Sequence, residues 1–400
     1  MRALFSTTGG AGHLGPLLPF AGACRRAGHD VRIASQRARE PAVERAGFVP
    51  APFDDPPEAA WAAARADLAR LDAEKAGERV TDVFAGINAR AALPGLLATF
   101  DAWRPDLVVI EPAEPAAALA AELHGIPVAC VSFALAETAA WWMPFMAPAV
   151  DASRAQAGLP PDPDGERIRA TPTLTATPAA LDPHIKGPAP HRFRTEPAMT
   201  GAVPPSDWWP DDRDPLVYLT FGSVAASVGL LPTLYRAAID ALAPLPVRIL
   251  LTTGNDADPA ALGALPPNVH AERWVPQDDV LPHAAAMVGH GGYGTTLGAL
   301  AHGVPQAFVP LFAYDQWING RRVTELGAGL TLEGAPRLAL QPPGEDVFAA
   351  LPGTVERLLD EPSHRRSAER VAAEMAALPP VDEAVAVLEA IAAMPAEIAG

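Results

Sequence analysis

The residues most suited to chemistry form a glycine-rich turn in the second half of the chain. It reads HGGYGTT over residues 290–296 and stands between a predicted strand, Met287–Gly289, and a predicted helix, Thr295–Ala301. Glycines let backbone N–H groups approach an anion, and a helix N-terminus adds partial positive charge. Thr295 can cap the helix and donate its hydroxyl to a phosphate. The turn therefore predicts a phosphate-binding site that includes His290.

Features on both sides of this turn fit a nucleotide that carries a sugar. Trp274 precedes the turn and offers a flat face on which a nucleobase can stack. Asp315 and Gln316 follow the predicted strand Gln306–Val309 and supply polar groups for sugar hydroxyls. Each feature alone also fits a core tryptophan or a solvated acid. Together, and in this order, they predict a nucleotide-sugar site.

A second glycine-rich turn lies near the N-terminus. Residues 10–15 read GAGHLG, between a predicted strand and a predicted helix, as in a dinucleotide-binding loop. Such a loop needs an acid at the end of the next strand, but residues 33–37 read IASQR, which disfavours NAD. NADP remains conceivable through Arg37 or Arg39. His13 lies where ligands of open α/β folds bind, although a histidine there can also simply cap or pack the helix.

The elements that position these turns alternate as in a parallel α/β fold. The first half contains predicted strands and helices at Arg2–Thr7, Gly15–Ala27, Val31–Ala34, Leu107–Ile110, Pro115–His124 and Val128–Phe133. The second half repeats the pattern at Leu216–Phe221, Leu231–Leu242 and Val247–Thr252, and continues through the glycine-rich turn. A stretch rich in Pro and Asp separates the halves. We therefore expect domains at 1–200 and 215–400, a linker at 201–214, and a ligand cleft between the domains.

Composition limits the class of protein. The chain has 400 residues, of which 49% are hydrophobic and 19% charged, and this predicts two globular domains. A net charge of −17 argues against nucleic-acid binding. Cys24 and Cys130 lie in apolar stretches; a disulfide is conceivable, but two buried free thiols of a cytoplasmic protein fit better. Apolar stretches such as Ala129–Ala136 are shorter than a membrane span, so we expect no membrane partner.

The chain resembles the inverting glycosyltransferases of GT-B fold, in the large family of plant secondary-metabolite and bacterial antibiotic enzymes. WVPQ (274–277), HGGYGTT (290–296) and DQ (315–316) match that family's donor-binding signature. GHLGPLLPFAGACRRAGHDV, from residue 12, and PLVYLTFGS, from residue 215, match its first turn and helix and the start of its second domain. The likeness covers essentially the whole chain. It is strongest to bacterial enzymes that act on polyketide-type aglycones with thymidine-diphosphate (dTDP) deoxysugars.

The resemblance implies an α/β fold of two Rossmann-like domains facing across a cleft. The N-terminal domain would bind the acceptor, and the C-terminal domain the nucleotide sugar, with the last helix packing back on the N-terminal domain. Trp274 would stack on the base, and the Val275 backbone would meet the base edge. Asp315 and Gln316 would hold hydroxyls of the sugar. The diphosphate would be bound by Ser223, His290, Gly292, Gly294 and Thr295.

Two departures from the family pattern bear on the donor. Many bacterial relatives have two histidines before the glycines, whereas this chain has Gly289 and then His290, which matches the phosphate ligand. Relatives that use uridine donors commonly carry an acid eight residues after that histidine, where it holds the ribose hydroxyls. This chain has Gly298 there. Because a thymidine sugar nucleotide lacks the 2′-hydroxyl, Gly298 favours a dTDP-sugar over the alternative, a UDP-sugar.

The resemblance also implies a catalytic pair. His13 matches the family's general base, a role worth about 10²–10⁴-fold in rate. Glu111 matches the acid that orients the histidine, with Glu in place of the usual Asp; Glu114 is the alternative partner, and Glu111 fits a turn cap equally well. The helix N-terminus at Thr295, with His290, would neutralise the leaving diphosphate. The acidic run at 211–214 lies in the expected linker and fits a solvated segment, so we expect neither a metal nor a cofactor.

A small hydrophobic molecule is the expected acceptor. Trp141, Trp142 and Phe145 form an aromatic patch that prolines interrupt, which predicts a binding-site loop or an interface rather than a regular helix, although core packing fits as well. The segment Trp61–Phe100 is the other candidate wall. A homodimer is compatible with the sequence. Three other functions stay open: an inactive partner that activates another glycosyltransferase, an NADP oxidoreductase, and a sugar-nucleotide epimerase.

Overall fold

The chain folds into two compact units. The structure is a computed structural model and describes residues 1–68, 73–183, 188–196, 214–222, 231–254, 257–332 and 343–394. The first unit comprises Met1–Thr177, His184–Glu196 and Leu378–Gly400, and the second comprises Pro178–Pro183 and Pro197–Ala377. The sequence analysis expected two continuous domains, 1–200 and 215–400, whereas each observed unit consists of more than one segment. Of the expected linker, only Asp214 lies within the described residues.

The first unit is built on a seven-stranded sheet in the order β3-β2-β1-β4-β5-β6-β7, in which every neighbouring pair is parallel. Its strands are β1 (Arg2–Ser6), β2 (Asp30–Gln36), β3 (Val49–Phe53), β4 (Leu107–Ile110), β5 (Val128–Ser132), β6 (Thr173–Thr175) and β7 (His191–Arg192). Its helices are α1 (Ala11–Arg26), α2 (Glu40–Arg45), α3 (Glu58–Leu68), α4 (Ala73–Thr81), a π-helix (Asp82–Asn88), α5 (Ala89–Trp103), α6 (Ala116–His124), α7 (Ala136–Gln156) and α8 (Glu166–Ala170).

The second unit is built on a six-stranded parallel sheet in the order β10-β9-β8-β11-β12-β13. Its strands are β8 (Leu216–Thr220), β9 (Arg248–Thr252), β10 (Val269–Glu272), β11 (Ala284–Gly289), β12 (Gln306–Phe308) and β13 (Gly329–Thr331). Its helices are α9 (Leu231–Leu242), α10 (Gln277–Val280), α11 (Tyr293–Ala301), α12 (Tyr314–Glu325), α13 (Glu345–Asp360) and α14 (Pro362–Ala377). Strands such as β4 and β8 are buried along their whole length, because helices cover both faces of a parallel sheet.

The aromatic patch at 141–146 lies in a regular helix, and the prediction that prolines would prevent one was wrong. Helix α7 runs from Ala136 to Gln156 with Pro144 and Pro148 inside it. Each proline removes one backbone hydrogen bond of the helix. Burial of apolar side chains of this helix, including Met146 and Val150, offsets that loss.

The last helix, α15 (Ala384–Ala392), belongs to the core of the first unit. Val385, Leu388 and Ile391 are buried in the same cluster as residues of α1 and of β1. Backbone hydrogen bonds attach the segment before this helix, since Arg194 N donates to Pro379 O and Val381 N donates to Arg194 O. The last helix and the first strand and helix therefore share one hydrophobic core.

Among the described residues, one helical stretch is long and apolar enough to cross a membrane by length and composition alone. It is Gly77–Trp103, which joins the end of α4, the π-helix and α5, and half of its most apolar window is buried. The expectation that every apolar stretch is too short was therefore wrong. The buried face includes Leu96 and Phe100, which lie in a core cluster with residues of β3 and β4. Core packing accounts for the apolar composition of that face.

Both cysteines are free thiols, as expected. Burial raises the pKa of Cys24 to about 12. The pKa of Cys130 is also raised to about 12, mainly by burial and to a smaller extent by the negative charge of Glu111. Both thiols therefore stay protonated and unreactive at neutral pH.

The position of Leu388 generates a prediction about stability. Leu388→Ala should lower the free energy of unfolding of the first unit by about 2–5 kcal/mol, because the substitution leaves a cavity in its core. Denaturant unfolding of the full chain measures this change. Ala386→Gln changes an exposed position of the same helix and should shift stability by less than about 0.5 kcal/mol. Equal effects of the two substitutions would show that α15 does not belong to the core.

Candidate active site

Each sheet has one point at which the strand order reverses. In the first unit β1 lies between β2 and β4, and in the second unit β8 lies between β9 and β11. At such a point the loops leaving two neighbouring strands diverge, and a crevice opens at the carboxyl ends of the strands. His13 follows β1 and Glu111 follows β4; Gly222 follows β8 and His290 follows β11. The candidate residues therefore lie at the two positions where open α/β sheets bind ligands.

His13 and Glu111 are hydrogen-bonded to each other. The distance from His13 Nδ1 to Glu111 Oε1 is 3.1 Å. The Glu111 carboxylate is fully buried and also accepts from Thr8 N (3.3 Å), Ala113 N (2.5 Å) and the Thr7 hydroxyl (3.5 Å). These donors compensate the burial of a charged group. A carboxylate at Nδ1 favours the tautomer with its proton there, which leaves Nε2 with a lone pair to accept a proton.

Glu114, the alternative partner of His13, has a different role. It is fully buried, and both of its oxygens accept from Ala117 N at 3.3 Å. Burial raises the pKa of Glu114 to about 7, and the negative charge of Glu111 adds to the shift. The hydrogen bond to His13 comes from Glu111, one residue beyond the end of β4. Sequence reasoning could not choose between the two carboxyls, but the geometry selects Glu111.

The His13 ring is enclosed by aromatic side chains that sequence reasoning did not single out. Its centroid lies 4.7 Å from that of Phe133 and 5.3 Å from that of Phe84, and Phe84 lies 5.9 Å from Trp142. We call these four residues the aromatic cluster. The ring also packs directly on the backbone of Gly9. A side chain there would not fit, because its Cβ would lie 2.3 Å from His13 Cγ. Phe133, Phe84 and Trp142 thus form an apolar wall beside the His13 ring.

Of the predicted acceptor residues, only Trp142 belongs to this cluster. Trp141 and Phe145 contact each other edge to face, with centroids 5.3 Å apart. Both also approach Gly77 of α4, where a Cβ would lie 3.1 Å from Trp141. The signal for Phe84 was weak, since it lies inside the broad candidate wall Trp61–Phe100 without a motif of its own.

In the second unit, the His290 ring lies between two glycines. A Cβ on Gly222 would lie 2.7 Å from His290 Cε1, and one on Gly292 would lie 2.5 Å from Nε2. Gly222 also has a φ of +72°, which disfavours other residues. His290 Nδ1 is buried and has no hydrogen-bond partner among the residues that the structure describes. Burial lowers the pKa of His290 to about 4, so the ring is neutral at physiological pH.

The helix after this turn begins without a side-chain cap. Gly292 is the N-cap of α11, and no side chain of the described residues bonds to the cap. The prediction that Thr295 caps the helix was wrong, because the helix starts at Tyr293 and Thr295 is already its third residue. A Cβ on Gly294 would meet nothing within 4 Å. Open space therefore lies beside the start of this helix, where an anion could approach.

The remaining donor residues lie around the second sheet. Trp274 is 59% exposed, unusual for a large aromatic side chain, whereas Val275 packs on a core cluster. Asp315 lies in the first turn of α12, and Gln316 is buried, with its side-chain oxygen accepting from Leu311 N and Phe312 N. Only the amide nitrogen of Gln316 is left to donate to a ligand. Ser223 lies outside the described residues.

Gln277 occupies the space beside Gly298. Its amide nitrogen lies 3.3 Å from Gly294 O, and a Cβ on Gly298 would lie 2.4 Å from that nitrogen. Gln277 stands in the WVPQ segment but received no role from sequence reasoning. The position where uridine-using relatives carry an acid is thus covered here by a neutral carboxamide.

Comparison with known proteins agrees with this geometry. Residues 22–214 match the N-terminal domain of the erythromycin biosynthesis protein CIII-like family, and residues 236–391 match its C-terminal domain. The chain belongs to this family. It is therefore a glycosyltransferase related to bacterial antibiotic tailoring enzymes.

Individual relatives match along nearly the whole chain. The L-demethylnoviosyl transferase of Streptomyces niveus is 33% identical over 95% of each chain. The crystal structure of the glycosyltransferase SnogD from Streptomyces nogalater has a TM-score of 0.74 and 30% identity, over 98% of this chain and 99% of SnogD. The glycosyltransferase VinC in complex with dTDP has a TM-score of 0.75 and 26% identity over the same shares. These matches confirm the predicted GT-B fold class.

The two buried carboxyls generate opposite predictions. Glu111→Gln should lower turnover by about 10²-fold or more, because it replaces the carboxylate that is hydrogen-bonded to His13 Nδ1. Glu114→Gln should leave turnover near that of the wild type and raise stability at pH 8 more than at pH 5. In the wild type, the folded state retains the Glu114 proton up to about pH 7, whereas the unfolded chain releases it near 4.5. Wild-type stability therefore falls as pH rises through this window.

Thermal unfolding at both pH values, with steady-state rates on the same preparations, measures these effects. A loss of turnover in Glu114→Gln equal to that in Glu111→Gln would assign the His13 partner to Glu114 instead.

Proposed function

We propose that this glycosyltransferase moves a deoxysugar from a dTDP-sugar to a hydroxyl group of a hydrophobic natural-product aglycone, with inversion at the anomeric carbon. The observation that carries the proposal is the hydrogen bond between His13 and the buried Glu111 at the strand-order reversal of the first sheet. A histidine bonded in this way is suited to accept a proton at Nε2.

In the proposed reaction, His13 Nε2 takes the proton of the acceptor hydroxyl as the acceptor oxygen attacks the anomeric carbon. The bond from that carbon to the diphosphate oxygen breaks, and dTDP leaves with the electron pair. Glu111 stabilises the imidazolium that forms, in the same way as the acid of a hydrolase triad. Attack on the face opposite the leaving group inverts the configuration.

The proposed leaving-group site is the uncapped N-terminus of α11 with His290. Negative charge on the departing diphosphate is stabilised by the N–H groups of the first helical turn and by the positive end of the helix. His290 is neutral, so it acts as a hydrogen-bond donor rather than as a cation. Among the described residues, no group of three or more His, Cys, Asp or Glu side chains could hold a metal. We propose that the helix N-terminus and His290 themselves stabilise the diphosphate.

The proposed donor nucleotide is dTDP. The carboxamide of Gln277 lies where a Cβ on Gly298 would stand, so no carboxylate faces a ribose 2′-hydroxyl there. A ribose would bring a hydroxyl that needs a partner, whereas a deoxyribose would not. VinC, a solved relative, holds dTDP. Trp274, exposed on the same unit, provides the face for the base.

The proposed acceptor is a flat, hydrophobic aglycone, because aromatic rings form the wall beside His13. The two free thiols support a location in the cytoplasm.

Nucleotide preference can be tested by calorimetry. The wild type should bind dTDP more tightly than UDP, and Gly298→Glu should reduce this preference by about tenfold, because the new carboxylate displaces the flexible Gln277 side chain and accepts from the ribose hydroxyls. Ala301→Glu adds the same charge at an exposed position of α11 and should leave the preference unchanged. Tighter binding of UDP than of dTDP by the wild type would overturn the donor assignment.

Turnover tests the reaction itself. With dTDP-deoxysugars and a panel of phenolic polycyclic acceptors, His13→Ala should lower the rate by about 10²–10⁴-fold and leave the affinity for dTDP unchanged. Addition of EDTA should not change the wild-type rate. The anomeric configuration of the product, read by NMR, should be opposite to that of the donor. Near-normal turnover of His13→Ala on an oxygen acceptor contradicts the proposed base.

A further inference from the structure

The long helical stretch of the first unit is interrupted by a π-helix over Asp82–Asn88. Such turns are rare and frequently mark functional sites, since each holds one residue more than an α-turn and redirects the side chains around it. Phe84 is the third residue of this turn, and its side chain contacts the His13 ring. The wide turn therefore lies directly beside the proposed base.

Side chains hold both ends of the π-helix. The Asp82 carboxylate accepts a hydrogen bond from Arg79 at 2.7 Å. It also packs closely on Gly86, where a Cβ would lie only 2.4 Å from Asp82 Oδ1. At the other end, the Trp61 indole N–H donates to Asn88 at 3.2 Å. The position of Phe84 is thus fixed by contacts that do not involve His13.

Phe84 lies between the proposed base, His13, and Trp142 of the aromatic cluster. Its ring contacts His13 on one side and Trp142 on the other. Phe133 packs edge to face on His13, and the side chain of His13 keeps only 20% of its surface exposed. Removal of the Phe84 ring would open a face of the imidazole to water and leave the ring free to turn away from Glu111.

We propose that Phe84 is a positioning residue, which holds His13 in its hydrogen bond to Glu111 and keeps water from the proton-accepting nitrogen. This inference rests on the proposed role of His13 as the base. Water is the natural competitor of the acceptor: its oxygen would bond to the anomeric carbon, its proton would pass to His13, dTDP would leave, and the product would be free sugar. Phe84 therefore directs the sugar to the aglycone rather than to water.

The chain contains a matched control for this pair. Phe100 packs on His124 with ring centroids 5.3 Å apart, the same separation as between Phe84 and His13. The His124 side chain is 23% exposed, similar to that of His13. Phe100 lies fully buried in the core of the same unit and outside the candidate site.

The kinetic test compares Phe84→Leu, Phe84→Tyr and Phe100→Leu. In Phe84→Leu, kcat for glycosylation should fall by about 10²-fold, as expected for a misplaced base, and the ratio of free sugar to glycoside should rise. Phe84→Tyr keeps the ring and should restore both quantities. Phe100→Leu should lower the melting temperature without changing the ratio. An unchanged ratio in Phe84→Leu would overturn the proposal.

A second measurement does not depend on turnover. Diethyl pyrocarbonate modifies accessible histidine nitrogens, and peptide mass spectrometry gives the rate at each site. In the full-length protein, Phe84→Leu should accelerate modification of His13 but not of His124, and Phe100→Leu should do the reverse. Equal His13 rates in wild type and Phe84→Leu would refute the shielding role even if the enzyme is active. If instead the labelling result holds and no sugar transfer is found, the proposed function fails while the shielding stands.

Discussion

The candidate site depends on one constraint, which is the reversal of strand order in a parallel sheet. All strands of a unit point the same way, so the loops that bind ligands can only gather at one edge of its sheet. The reversal between β1 and β4 brings together His13 and Glu111, which are 98 positions apart in the sequence. The same reversal between β8 and β11 brings Gly222 against His290. Each unit thus builds half of the proposed chemistry by the same topological means.

The two histidines of the candidate site have very different surroundings. The His13 ring is hydrogen-bonded to the buried carboxylate of Glu111, which orients the imidazole through Nδ1. The His290 ring is enclosed by Gly222 and Gly292, with no charged partner at its buried nitrogen among the described residues. Burial alone therefore keeps it neutral. The roles proposed for the two histidines, as a base and as a neutral hydrogen-bond donor, match these different surroundings.

Much of the fold could be predicted from the sequence. Buried parallel strands appear as short apolar runs, and the turns after them appear as glycines at regular spacing. Strand Leu107–Ile110 and helix Leu231–Leu242 were predicted with their observed bounds. Predictions failed where tertiary packing overrides local preference. Pro144 and Pro148 should break a helix, yet the buried face of α7 retains it. Phe84 could be placed only within the broad candidate wall Trp61–Phe100, since its contact with His13 depends on a π-helix that has no sequence signature comparable to a motif.

The course of the chain through the two units has a practical consequence for recombining these enzymes. Because Leu378–Gly400 folds with the N-terminal sheet, a hybrid joined once near the middle of the chain would pair that sheet with a foreign terminal helix. The buried side chains of α15 would then meet a surface that they did not evolve with. Grafts that exchange the N-terminal unit should accordingly have two junctions, one in the central proline-rich stretch and one shortly before residue 378, so that the terminal helix stays with the sheet on which it packs.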